Sequence, residues 1–124
     1  MGAVLDTCGW LAYFLNEPLA PRYAPLINGP TEPIVSIVSI YEVYKVLARN
    51  SGPVEALRHA DYLWAFPVDS LSLETTILAA DLSAAHKLHM SDALIYATAV
   101  SHQAELWTHD THFQGLPGVH FVTP

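Results

Sequence analysis

Charge is what this sequence has least of. Only 14 % of its 124 residues are Asp, Glu, Lys or Arg and 52 % are hydrophobic, against the roughly 25 % charge usual for soluble domains. So sparse a charge leaves apolar surface to be covered, and a protein partner or self-association is expected. Positive charge is scarcer still, with five Lys and Arg against twelve Asp and Glu and a formal net charge of -7. That excludes a broad basic surface coating nucleic acid, so any such contact has to be local or assisted by cations. Clustered carboxylates repel one another unless a cation neutralises them, and bound divalent metal would account for part of the acidic excess.

Cysteine is nearly absent. Cys8 stands alone, which excludes an internal disulfide framework and fits a reducing compartment. No apolar run approaches the roughly 20 residues that cross a bilayer. The apolar stretch from Ala3 to Leu15 carries Asp6 inside it and no Lys or Arg before it, the wrong pattern for a signal peptide. A cytoplasmic protein without membrane contact is the expectation. Repeats, charge blocks and low-complexity segments are also missing, and the length suits one domain spanning residues 1–124.

Alternating strand and helix signals fill the chain. Ala3-Val4-Leu5 reads as a buried strand ending at Asp6, and Trp10 to Leu15 as helical. Pro18, Pro21, Pro25, Pro30 and Pro33 leave room for one short helix, Arg22 to Ile27, before a β-branched strand at Pro33 to Ile37. Ser39 to Asn50 predicts a helix stopped by Ser51-Gly52-Pro53, and Pro53 opens the next, to Trp64. Phe66-Pro67-Val68 reads as an edge strand because of its proline. Helices over Leu73 to Leu88 and Ser91 to His102 follow, then strands at Glu105 to Thr108 and Val119 to Val122. Such alternation predicts an α/β fold, a parallel sheet between helical layers.

Four acids stand where such a sheet places ligands, beyond the carboxyl ends of its strands. Asp6 follows the first strand, Glu42 lies in the first turns of the helix after the second, Asp92 opens a helix, and Asp110 comes two residues after Thr108. Oxygen-rich clusters of this kind suit hard cations such as Mg²⁺, with positions left for a substrate phosphate. Each acid has a structural explanation as well. Asp6 can cap a helix, Asp92 can favour a helix first turn, Asp110 can make a turn, and Ser39-Ile40-Tyr41-Glu42 has the pattern of a capping box. The four together favour a site.

The segments Val4-Leu5-Asp6-Thr7, Ser39-Ile40-Tyr41-Glu42-Val43, Ser91 to Ala99 (SDALIYATA) and Leu106 to Phe113 (LWTHDTHF) resemble the four acidic signatures of PIN-domain proteins, particularly the VapC toxins of bacterial and archaeal toxin-antitoxin pairs. The resemblance spans essentially the whole chain, and the Asp-Ala-Leu-Ile-x-Ala-x-Ala block is its most specific piece. It implies a three-layer α/β/α fold with a short parallel sheet, a homodimer, and Mg²⁺- or Mn²⁺-dependent cleavage of RNA held in check by a cognate antitoxin. It also implies that Asp6, Glu42, Asp92 and Asp110 are catalytic metal ligands, with Thr7 and Thr108 as hydroxyls that orient a ligand or water. Turn and cap bonding explains those threonines equally well. Relatives often carry a further acid two residues after the fourth, where this chain has His112, so the second metal position is the less secure one. A surface histidine is the simpler reading of His112, with metal or phosphate contact as the alternative.

Other signals are weaker. His86 and His89, and His109 and His112, have a spacing that can hold zinc, but no cysteine or third histidine completes either pair. Lys45 and Arg49 share a helix face with Glu42 and are placed to meet RNA phosphates, or are simply solvated cations near a helix end. The aromatics of the predicted helices belong mostly to the core, with some left for a dimer seam or an antitoxin groove. An RNA-processing nuclease without an antitoxin, or an inactive PIN-like binding module, are the alternatives. A phospho-acceptor domain would need paired acids after the first strand and a late lysine, and a phosphatase would need a second Asp where Cys8 stands.

Overall fold

Successive side chains along a strand point to alternate faces, and that two-residue period sorts the apolar residues into two layers. In the computed structural model, which describes residues 2–124, the strand β1 (Ala3–Leu5) lies parallel to β4 (Glu105–Thr108), with Val4 opposite Leu106 and Leu5 opposite Trp107. Val4 and Leu106 join a core with Ile95, Tyr96, Phe113 and the alanines of the last two helices. Leu5 faces the other way, into a core with Trp10, Tyr23, Val43, Leu47 and Leu63.

Those cores define the helical layers. On one side are α1 (Thr7–Phe14), α2 (Ala20–Ile27), α3 (Ile37–Ser51) and α4 (Pro53–Trp64). On the other are α5 (Leu73–His86) and α6 (Met90–Ser101). The α3–α4 junction forms where the sequence indicates, with Gly52 at φ 88° between Ser51 and Pro53, a conformation glycine adopts without a Cβ clash.

β5 (Val119–Phe121) extends the sheet beyond β4, while β2 (Val35–Ser36) pairs in parallel with β3 (Val68–Asp69) and meets β1 through the single bridge Val4–Ile34. Joined by that bridge, the order is β3-β2-β1-β4-β5. This is the three-layer α/β/α arrangement with a short parallel sheet. After β1 the chain runs to one side of the sheet, and with β4 it returns on the other side of β1, so the crevice of the fold opens at the carboxyl ends of β1 and β4.

Several predicted boundaries move, among them the third strand, expected at Phe66 to Val68 and found at Val68–Asp69, and α2, which opens at Ala20 instead of Arg22. β2 stops at Ser36, two residues after its bridge, because Ser36 turns out of the sheet to cap α3, its Oγ accepting from the Val38 N–H at 3.2 Å. α3 therefore starts two residues before Ser39, and Ser39 sits buried inside it. The capping box of Ser39 and Glu42 does not form. α1 begins three residues earlier than the apolar period indicates, at Thr7, because Asp6 caps it directly.

Candidate metal centre

Asp6 lies where β1 ends, and its two oxygens have different duties. Oδ1 accepts from the Thr7 N–H at 2.8 Å, while Oδ2 accepts from the Thr108 hydroxyl at 2.8 Å. The Asp6 N–H in turn donates to the Trp107 carbonyl at 3.0 Å, carrying the β1–β4 ladder one residue past the strand. Thr108 is the last residue of β4 and fully buried, and its oxygen accepts from the Asp110 N–H at 3.0 Å. One hydroxyl thus fastens two of the acids across the crevice. The cap explanation of Asp6 is also true, since the residue that caps α1 is the one the crevice presents.

Glu42 arrives from α3. Thr7 Oγ1 lies 2.6 Å from Glu42 Oε1 and 3.1 Å from Ser39 Oγ. A carboxylate only accepts, so the Thr7 hydroxyl donates to Glu42 in the shorter contact, with the Ser39 oxygen as a second, longer acceptor. Asp92 occupies the first turn of α6, half-buried, and Asp110 caps the short 3-10 turn Thr111–Phe113 by accepting from the His112 N–H at 2.9 Å.

Charge repulsion shows which acids are neighbours. Burial, and next the charges of Asp110 and Glu42, raise the Asp92 carboxyl above its ordinary range, against the opposing pull of His112 and His89. Burial first, eased by the Thr108 hydrogen bond, pushes Asp6 up to about 6, with Asp92 adding to the rise. All four acids therefore share one region: the charges of Asp110 and Glu42 act on Asp92, and that of Asp92 acts on Asp6. Carboxylates brought together in this way suit a divalent cation, whose charge offsets theirs. The donor set fits: it is mostly hard oxygen, and one oxygen each of Asp92 and Asp110 lies within 4.8 Å of a ring nitrogen of His112.

The PIN-domain family model matches residues 3–119. The chain belongs to the PIN-domain family. Solved structures agree over the full length of this PIN domain. A toxin-antitoxin complex from Klebsiella pneumoniae superposes with a TM-score of 0.81 at 29% identity, over 99% of this chain and 98% of that one. The Mycobacterium tuberculosis toxin VapC20, described as cleaving the sarcin-ricin loop, gives 0.80 at 17% identity over 99% and 100%. The Rickettsia felis VapBC2, solved with a promoter DNA fragment, gives 0.77 at 16% identity over 98% of each chain. No curated protein matches in sequence.

Within this PIN domain the remaining sequence candidates separate. Thr7 and Thr108 both bond site carboxylates. Lys45 and Arg49 are exposed, and the Lys45 ammonium lies 5.8 Å from the Tyr41 ring, lining an open groove between α3 and α4 with Tyr44 and Ala60. The spaced histidine pairs do not act as pairs. His109 Nδ1 instead meets the Tyr23 hydroxyl at 2.7 Å, while the ring of His112 lies 6.4 Å from that of His89.

Three residues near the acids were not among the site candidates read from the sequence. Ser39 has the sequence of a cap and the position of a support for Thr7. Tyr23 is fully buried and reaches His109 across Gly9, where a Cβ would stand 2.6 Å from Tyr23 Cε1. Cys8 Sγ lies 3.5 Å from Asp6 Oδ2. Burial first, and then the Asp6 charge, push the Cys8 thiol up to about 12, so it stays protonated at neutral pH and is unsuited to nucleophilic attack.

Proposed function

We propose that residues 1–124 form one catalytic domain, a divalent-metal-dependent endoribonuclease acting as the toxin of a toxin-antitoxin pair. Asp6, Glu42, Asp92 and Asp110 would hold Mg²⁺ or Mn²⁺. The observation that carries this reading is the convergence of these acids at the crevice between β1 and β4, with Asp6 and Glu42 fixed by Thr108 and Thr7 and Asp92 beside Asp110. The 29% identical Klebsiella pneumoniae chain, from a toxin-antitoxin complex, supports the partner. The low charge of the chain supports the partner too, and a homodimer as the working unit, while the lone cysteine supports the cytoplasm.

A bound divalent ion supplies charge neutralisation at a phosphodiester and activation of water for in-line attack. The chain's own part is positioning. Thr108 and Thr7 fix the rotamers of Asp6 and Glu42, so that their oxygens need no reorganisation when cation and substrate arrive. Without a side-chain nucleophile, neither Cys8 nor a threonine becomes covalently attached to RNA.

Cleavage of RNA by the purified chain, followed by gel electrophoresis, tests the proposal. EDTA should abolish cleavage and excess Mn²⁺ restore it, and Asp6→Asn or Asp92→Asn should reduce it at least about 100-fold, the upper end of what loss of a supporting group costs a metal site. Cleavage that survives EDTA, or full activity in Asp6→Asn, overturns the reading. For the toxin assignment, expression should arrest growth and co-expression of a small neighbouring partner gene should relieve the arrest.

A further inference from the structure

The donors at the outer side of the site are not all oxygen. One oxygen each of Asp92 and Asp110 and one nitrogen of His112 lie within 4.8 Å of one another, close to the roughly 4.2 Å between opposite ligands at bond lengths near 2.1 Å. His112 is held there by its own turn, since its backbone N–H and its Nδ1 each lie 2.9 Å from Asp110 Oδ1. His89, at the N-terminus of α6, stands beside it but outside that group of three.

We propose that His112 is a metal ligand of this site and makes it select a first-row transition ion such as Mn²⁺ over Mg²⁺. This rests on the nuclease reading above and specifies its cation. Mg²⁺ demands oxygen in a near-ideal octahedron and gives up its waters reluctantly, so an imidazole adds little to its binding. Nitrogen is the softer donor and favours ions of the Mn²⁺-to-Zn²⁺ series. An entering ion would exchange the Nδ1 contact with Asp110 for a neutral imidazole donor and leave that carboxylate free to ligate. An acid at this position would give an all-oxygen set suited to Mg²⁺.

Calorimetric titration of the full chain with MnCl₂ and with MgCl₂, joined to pulsed EPR of the bound Mn²⁺, tests this without reference to activity. The wild type should bind Mn²⁺ at least about 10-fold more tightly than Mg²⁺, and the EPR should show a directly attached histidine nitrogen. His112→Ala should lose the nitrogen signal and weaken Mn²⁺ by roughly 10- to 100-fold, with Mg²⁺ affected less than about threefold. His112→Asp should bind without the nitrogen signal and shift preference toward Mg²⁺, and His89→Ala should keep the signal. Equal affinities in the wild type, no nitrogen signal, or a signal that depends on His89 instead would each overturn the proposal. If His112→Ala does not fold, the wild-type signal and His112→Asp decide. A missing signal while Asp92→Asn still abolishes Mn²⁺ binding and RNA cleavage removes only the role of His112. Unchanged binding and cleavage in Asp92→Asn removes the nuclease reading as well.

Discussion

Asp6 is a charge that the fold resists. Its carboxyl titrates at the usual 3.8 in the unfolded chain and near 6 in the fold, so the folded state binds the extra proton between these values. The consequence has a definite sign. Without cations, the contribution of this group is most favourable below about pH 4 and is lost as pH rises through 6, by about 3 kcal/mol for a difference of that size. Asp6→Asn should remove that loss, leaving the metal-free variant more stable than wild type near neutral pH and less able to bind a cation. Urea denaturation at acidic and neutral pH measures both. An identical pH dependence in the two proteins would mean that Asp6 is not the strained acid described here. A saturating divalent ion should flatten the wild-type curve, because it takes the place of the proton.

Helix α3 shows how a local pattern is reassigned by its surroundings. Ser39 and Glu42 have the spacing of a capping box, yet Ser36 performs the capping and Ser39 lies one turn inside, beside Thr7. The two serines should therefore differ in what their loss does. Ser36→Ala should cost about 1 kcal/mol of stability, the usual worth of an N-cap, with the metal site intact. Ser39→Ala leaves the cap in place and frees the Thr7–Glu42 pair, so RNA cleavage should fall more than stability. Thermal melts beside cleavage rates separate the two, and a large stability loss in Ser39→Ala with none in Ser36→Ala would restore the capping box. Periodicity located every helix here to within about a turn because apolar spacing encodes the buried face. It missed the ends, which are fixed by single hydrogen bonds such as Asp6 to Thr7 and Ser36 to Val38.

For the whole molecule, the shortage of charge reappears as exposed apolar side chains on both helical layers. Val54 and Trp64 of α4 and Leu73 of α5 are exposed, as are Ile77 and Met90 across the α5–α6 pair, where Met90 is 77% accessible. Such surface on an isolated chain favours association. Sedimentation of the purified chain at micromolar concentration should give the mass of two chains, and a monomer at tens of micromolar would remove self-association from the proposal.

The sequence alone determined the α/β alternation, the two apolar layers and the candidacy of Asp6, Glu42, Asp92 and Asp110, because burial periodicity and the chemistry of an acid are properties a residue carries with it. Only the tertiary structure decided how those acids meet. The parallel pairing of β1 with β4 sets Thr108 against Asp6 over a separation of 102 residues, and the packing of α1 on α3 gives Glu42 to Thr7. Contacts so far apart in the chain leave no local pattern. The same is true of His112, whose neighbour Asp92 comes from another element, so the chemistry available to that imidazole is fixed by where the chain folds back.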